Sequence, residues 1–154
     1  IYTLRAAEAW LNKAEACAMQ NGKEADACAA LNELRRNRIA DYADQQYTGT
    51  ELIDQVRLER RKELCFEGQR WFDLRRYAVC EAHPYKRTIT HVLNVPDSNK
   101  GTYRYSYVYN LEPDDPAYVF AIPSDIQEFD KLEKNPRQKR EPVLKGVLIK
   151  TEDE

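Results

Sequence analysis

Residues 57–76 read RLERRKELCFEGQRWFDLRR, and this stretch carries the densest charge in the chain. It holds seven basic and four acidic side chains, with three aromatic residues among them. Because arginine holds carboxylates through forked hydrogen bonds, this composition predicts partly buried ion pairs that fix how helices meet. A site for an anion or for nucleic acid is the alternative. The predicted structural cluster comprises Glu59, Arg60, Arg61, Glu63, Glu67, Arg70, Trp71 and Asp73.

Three acids of this stretch, Glu59, Glu63 and Glu67, are four residues apart, which predicts that they share one face of a helix. Stacked carboxylates hold metal in di-iron bundles, but those sites also need histidines in Glu-x-x-His pairs. Both histidines, His83 and His91, lie outside the predicted helices. We therefore predict no metal and no cofactor. The GxSxG, GxGxxG and GxxxxGK motifs of hydrolases and nucleotide-binding proteins do not occur in the sequence either.

Upstream of this stretch, apolar residues recur every three or four positions, which predicts two helices. The apolar face of the first consists of Leu4, Ala7, Leu11, Ala14 and Ala18. The turn Asn21-Gly22 ends this helix, because glycine accepts a positive φ. The second helix is predicted from about Glu24 to Ile39, so the pair forms an αα-hairpin.

Two more helices are predicted around the charged stretch itself. Thr48 and Glu51 have the spacing of a capping box at the start of the third helix, and Gly68 ends or bends it. The apolar residues of this helix are Leu52, Ile53, Val56, Leu64 and Phe66. A fourth, short helix holds Trp71, Phe72, Leu74 and Tyr77, and Pro84 closes the helical half.

The second half of the chain changes character towards β structure. The runs 86–95 and 102–109 are strand-like and are predicted to pair as a hairpin, and 118–122 is predicted to be a short strand or extended segment. Ser124 and Gln127 have capping-box spacing, which predicts one more helical turn after Pro123. A terminal strand is predicted within 143–149.

Tyrosines alternate along the second of these strands at Tyr103, Tyr105, Tyr107 and Tyr109. A half-buried amphipathic layer, with the hydroxyls reaching water, is one interpretation. The other is a flat aromatic platform on which sugar rings stack. The predicted ligand-binding residues are Tyr85, Tyr103, Tyr105 and Tyr107.

The four cysteines form no CxxC pair, so a structural zinc site is not predicted. Cys17 and Cys28 lie symmetrically about the Asn21-Gly22 turn. They are interpreted either as small apolar residues in a helix interface or as a disulfide. A disulfide between Cys65 and Cys80 is a weaker hypothesis.

The chain of 154 residues and 18.0 kDa has the length of a single domain. Its formal net charge of −2 argues against wholesale attraction to nucleic acid or anionic lipid. No apolar run is long enough to span a bilayer.

Three segments together resemble the C-terminal part of the SusD/RagB family. Residues 4–16, LRAAEAWLNKAEA, resemble its opening helix, and residues 30–38, ALNELRRNR, resemble the next one. The strongest resemblance is that of residues 59–76. Residues 121–128, AIPSDIQE, resemble a late IPxxE-like element with one residue more before the acid. The chain departs from the family's NPGY-like ending, since Asn135-Pro136 is followed by RQKR.

This resemblance implies a surface-exposed outer-membrane lipoprotein of Bacteroidetes-type bacteria that captures glycans, or sometimes peptides, and closes over a TonB-dependent transporter. It implies a binding protein rather than an enzyme, built on tetratricopeptide-like helix pairs. We expect the signal peptide and the lipid-attachment cysteine to lie upstream of this chain, so that any membrane association occurs through that anchor alone.

The predicted fold class is therefore mainly α, with tetratricopeptide-like helical hairpins followed by a small irregular/β-hairpin region. We predict one domain over residues 1–154, with a helical scaffold at 1–80 and the hairpin, loops and tail at 81–154. The predicted function is non-catalytic glycan binding, with carbohydrate uptake through a SusC-like transporter. The alternative is a helical adaptor that binds a protein or peptide. A third hypothesis, a glycoside hydrolase, requires that the protein turn over an oligosaccharide.

Overall fold

The computed structural model describes residues 5–96, 103–131, 133 and 140–147. The chain divides into two compact units, Ile1–Tyr85 and Lys86–Glu154. The first is helical and the second contains a small sheet. Within the described residues the fold is mainly α, as the sequence predicts.

The helical unit contains four α-helices, and the first two form the predicted αα-hairpin. In chain order they are α1 (Ala6–Ala18), α2 (Glu24–Arg36), α3 (Gly49–Glu63) and α4 (Gln69–Ala78). Gly22 has a φ of 74° in the turn between α1 and α2, which confirms the predicted positive φ, although α1 already ends at Ala18 with Met19 as its C-cap.

The core of this unit lies where α1 and α2 pack against each other and against α3. Alanines on the facing stripes have no side chain beyond Cβ, so the helices approach closely and leucines fill the remaining space. One buried group comprises Ala14, Ala27, Cys28, Ala30, Leu31, Leu52 and Val56. A second comprises Ala7, Leu11, Leu34 and Leu64.

The third helix is shorter than predicted. It ends at Glu63, and Phe66 then takes a φ of 65° and Gly68 a φ of 75°. Positive φ values interrupt the regular i to i−4 hydrogen bonds, so the chain turns into α4 instead of continuing α3. Phe66 is fully exposed, so its predicted place in the helix is wrong. Glu67 lies beyond the helix, so the predicted face shared by three glutamates is also wrong.

Neither predicted capping box forms. Thr48 is the N-cap of α3 but makes no side-chain capping bond, because Gly49 after it has a φ of 54° and distorts the first turn. The N-cap of the later helix is Pro123 rather than Ser124. The Gln127 side chain instead donates to the carbonyl oxygen of Ile122 at 2.8 Å.

The second unit contains a three-stranded antiparallel sheet in the order β1-β2-β3. Its strands are β1 (Ile89–Pro96), β2 (Tyr103–Leu111) and β3 (Leu144–Val147). A short helix, α5 (Ser124–Asp130), lies between β2 and β3. The predicted hairpin is thus confirmed. The terminal strand occupies four of its predicted residues, and 148–149 lie outside the described part of the chain.

Of the two alternatives for 118–122, the strand is wrong, whereas Val119 is extended, with φ −92° and ψ 126°. A 3-10 turn covers Pro116–Tyr118, and no strand follows it before α5. The Asp115 side chain accepts a hydrogen bond from the amide of Ala117 at 2.8 Å, and proline fixes φ at the first position. These two local effects outweigh the strand propensity of the apolar residues.

All four cysteines are free thiols, so the disulfide hypotheses are wrong. Cys28 is buried, and its sulfur lies 3.4 Å from the carbonyl oxygen of Tyr47 and 3.3 Å from its amide nitrogen. Cys17 packs against the same core. Both cysteines therefore act as small core residues, which confirms the packing interpretation.

No helix in the described part of the chain has the length and hydrophobicity that crossing a bilayer requires.

Candidate binding site

A pocket of about 290 Å³ opens beside α3 and α4 in the helical unit. Helical spacing brings its lining together, because residues three, four and seven positions apart share one face. The α3 residues are Asp54, Arg57, Leu58 and Arg61, and the others are Arg70, Tyr77 and Tyr85. We call this pocket the arginine cleft, since three arginines and one aspartate are among its lining residues.

Tyr77 forms a rigid wall of the arginine cleft. It is 2% exposed, and the guanidinium carbons of Arg57 and Arg76 lie 4.3 and 4.4 Å from its ring centroid. Tyr85 meets it edge to face, with centroids 6.5 Å apart. The Tyr85 amide also donates to the Tyr77 carbonyl oxygen at 2.9 Å. The segment after α4 is thereby held against the helix.

The three arginines of the cleft make few polar contacts. Arg57 is buried and donates through Nη2 to the carbonyl oxygen of His83 at 2.7 Å. Its Nε is buried and has no hydrogen-bond acceptor within the described ranges. Arg61 and Arg70 make no ion pair with any residue that the structure describes. The cleft therefore has free guanidinium donors and a positive balance of charge.

Behind the cleft, buried ion pairs join the helices. Arg60 Nε lies 2.9 and 3.1 Å from the two carboxylate oxygens of Asp73, so α3 is fixed to α4. Arg60 also donates to Asn12 Oδ1 at 2.8 Å, which ties both helices to α1. Arg76 bonds Asp73 at 2.9 Å and Glu15 at 2.7 Å. Arg60 and Asp73 are both buried.

Two glutamates of α3 bond arginines that lie within or next to other helices. Arg35 Nε donates to Glu59 Oε2 at 2.8 Å, and both residues are buried. Glu63 accepts from Arg38 and from Arg5 at 2.8 and 2.7 Å. The Arg38 hydrogen bond lowers the pKa of the Glu63 carboxyl below its ordinary value. The carboxylate of Glu63 therefore contributes stability at neutral pH that is lost as the pH falls through its pKa.

The predicted structural cluster thus separates into two groups. Glu59, Arg60 and Asp73 bond partners on other helices, whereas Glu63 pairs with Arg5 and Arg38 just outside helix ends and Glu67 pairs with Arg5. Trp71 is half-buried on α4. Arg61 and Arg70 line the arginine cleft instead. Burial alone does not tell which arginines form ion pairs. Arg60 and Arg57 are both buried, but only Arg60 pairs with a carboxylate among the described residues.

Sequence reasoning missed several partners of these pairs. Arg35 follows Leu31 at i+4, and Glu15 similarly follows Leu11 at i+4, so a charged residue on each apolar stripe was the available signal. Both are buried in the structure. Arg5 and Arg38 carry no comparable signal, because they lie at helix ends where charge is common.

The predicted tyrosines fall in different units. Tyr85 belongs to the helical unit and lines the arginine cleft. On β2, Tyr107 pairs with Leu93 and Tyr109 with His91, and both tyrosines are half-buried on one face. The backbones of Tyr103 and Tyr105 pair with β1, but their side chains lie outside what the structure describes. The β1–β2 register shifts between Val95 and Pro96, so the predicted strict alternation does not extend along the whole strand.

Burial makes Tyr77 a source of pH-dependent stability. It raises the pKa of the phenol to about 12, and the charge of Glu15 adds to the effect. The unfolded phenol has a pKa of about 10, so the stabilisation is complete below that pH and is lost as the pH rises towards 12. We expect the free energy of unfolding to fall by about 2 kcal/mol more in the wild type than in Tyr77→Phe between about pH 9.5 and 11.5.

Urea unfolding of the two proteins at both pH values measures this difference. Other tyrosines and lysines titrate in both proteins and cancel in the comparison. An identical pH dependence in the wild type and in Tyr77→Phe would contradict the buried, neutral phenol.

The family model of the SusD family matches residues 1–137, which is most of the chain. This chain belongs to the SusD family. The match covers the helical unit, the β1–β2 hairpin and α5, so the ion-paired helices and the arginine cleft both lie within the SusD-family region. No curated protein and no solved structure matches the chain.

Membership of the SusD family indicates nutrient or glycan binding at the cell surface. SusD-family proteins are binding proteins rather than enzymes, and in general they associate with SusC-like transporters at the outer membrane. The interhelical ion pairs fit a scaffold for binding, because they fix the helices relative to one another.

Proposed function

We propose that this chain takes part in non-catalytic glycan capture at the bacterial surface and in delivery of the glycan to a SusC-like TonB-dependent transporter. The observation that carries the proposal is the SusD-family match over residues 1–137. The helical unit supports it, since its buried pairs and close helix packing give a pre-organised surface. Binding to such a surface loses less conformational entropy than binding to a mobile one.

We further propose that Tyr85, Tyr103, Tyr105 and Tyr107 contact the glycan. An aromatic ring stacks on the C–H face of a pyranose, and the phenol adds a hydrogen bond. Tyr85 supports this role best, because it lies in a pocket and the contact with Tyr77 fixes its ring. Tyr107 is half-buried on β2, so part of its ring is accessible.

The proposed contacts predict that Tyr85→Ala and Tyr107→Ala each weaken glycan binding about tenfold, through loss of one stacking contact. The wild-type chain is first screened against a broad panel of oligosaccharides, and the affinity of each variant for the best ligand is measured by calorimetry. Phe66→Ala and Phe129→Ala are the matched controls, because both remove an exposed aromatic ring from the same two units. They are expected to leave affinity unchanged.

Binding to none of the panel would contradict the glycan proposal. Retention of a polypeptide partner by the same protein would then favour the alternative, a tetratricopeptide-like adaptor. Conversion of any oligosaccharide on the panel would contradict the non-catalytic role.

A further inference from the structure

Arg57 differs from the other buried arginines of the helical unit. Arg35 and Arg60 each bond a carboxylate, at 2.8 and 2.9 Å. Arg57 is more than nine-tenths buried, yet it has no ion pair among the residues of the described chain, and its Nε has no acceptor there. Removing a guanidinium from water without a counter-charge is costly. An anion in the arginine cleft would supply that counter-charge.

Two more arginines line the same pocket. Arg61 lies one helical turn beyond Arg57 on α3, and Arg70 approaches from α4. Neither has an acceptor within the ranges that the structure describes, so their donors are available to a ligand. Three arginine side chains and one aspartate line the pocket, so its net positive charge favours an oxyanion, and a guanidinium can hold two oxygens of such a group through paired N–H donors.

We propose that the arginine cleft binds the carboxylate or sulfate group of an acidic sugar. The choice of a sugar as the carrier rests on the proposed glycan function, whereas the choice of an oxyanion rests on the arginines alone. A volume of about 290 Å³ is at the lower end of ligand pockets, so the cleft accommodates one charged sugar residue rather than a chain.

The remaining lining residues favour a sugar that carries a single charged group. Tyr85 and Tyr77 supply aromatic surface beside the guanidinium groups, which suits a pyranose ring. Asp54 lines the cleft as an exposed carboxylate, so it opposes a second negative charge at that edge. A uronic acid or a monosulfated sugar meets both conditions.

The test compares acidic oligosaccharides with neutral counterparts of the same sugar sequence. Suitable pairs are tetragalacturonate with its full methyl ester, and a chondroitin sulfate tetrasaccharide with its desulfated, methyl-esterified form. We expect at least one acidic member to bind about tenfold or more tightly than its neutral partner, and this preference to shrink as salt is added. Equal affinities in every pair would overturn the proposal.

Variants then assign the preference to the cleft. Arg61→Gln/Arg70→Gln is expected to abolish the preference for the acidic member of each pair. Arg75→Gln is the matched control, because this exposed arginine lies on α4 but does not line the cleft. A preference that survives in the double variant, or that is lost in Arg75→Gln, would overturn the assignment.

Sodium sulfate alone separates this inference from the glycan proposal. We expect sulfate to shift the Arg57 Nε–H resonance of the isotope-labelled chain, and the shift to be lost in the double variant. If no glycan binds but sulfate gives this result, the oxyanion site stands and the sugar carrier is wrong. If sulfate produces no shift and no acidic glycan is preferred, the site itself is wrong.

Discussion

Replacing Asp73 by Ala is expected to lower the free energy of unfolding by about 3–5 kcal/mol, because the substitution removes the nearer of the two carboxylates that pair with a buried guanidinium. Asp73 is 4% exposed and its partner Arg60 is 6% exposed, so water does not replace the lost carboxylate. In the variant, Arg60 keeps its hydrogen bond to Asn12 and a longer contact of 3.6 Å with a Glu8 carboxylate oxygen. Urea unfolding measures the effect, with fluorescence as the signal, since both tryptophans, Trp10 and Trp71, lie in the helical unit.

Asp54→Ala is the matched control for this substitution. Asp54 is an exposed aspartate inside a helix and makes no ion pair within the described residues. Its replacement is expected to change stability by less than about 0.5 kcal/mol. Combining Asp73→Ala with Arg60→Met completes a double-mutant cycle, and we expect the double variant to lose less stability than the two single losses together. Additive losses would mean that the pair is not energetically coupled.

Leu31→Ala is expected to destabilise the helical unit by about 2–5 kcal/mol, since it leaves a cavity between close-packed helices. Leu31 is 1% exposed, and the alanines around it have no side chains with which to fill the space. The same fluorescence-detected urea unfolding measures the loss.

Leu58→Ala controls for the lost methyl groups and for helix propensity. Leu58 also lies within a helix but is 42% exposed, so its removal is expected to cost less than about 1 kcal/mol. Equal losses in the two variants would contradict the position of Leu31 in the core.

The helical framework could be predicted because its signals are local. The spacing of Ala7, Leu11 and Ala14 places them on one face, and all three are buried. Gly22 takes its positive φ in the turn after the first helix because it has no Cβ. The hairpin of β1 and β2 follows from two β-rich runs on either side of a polar loop.

The predicted capping boxes do not form, because residue spacing alone does not fix the backbone geometry that a capping hydrogen bond needs. Spacing permits the hydrogen bond at Thr48 but does not establish it, because the backbone of Gly49 changes the first turn. In the same way, Phe66 continues an apolar pattern, yet a positive φ removes it from the helix and leaves it exposed.

The amino-acid sequence by itself determined the helix pairs, the hairpin and the SusD-family membership of this chain, because periodicity and motif order are properties of neighbouring residues. Only the tertiary structure decided which arginine serves which purpose. Arg57, Arg60 and Arg61 lie within five residues of one another, but Arg60 faces Asp73 while Arg57 and Arg61 face the cleft. Burial and counter-charge depend on what a second helix brings to each position, and adjacent residues point to different neighbours.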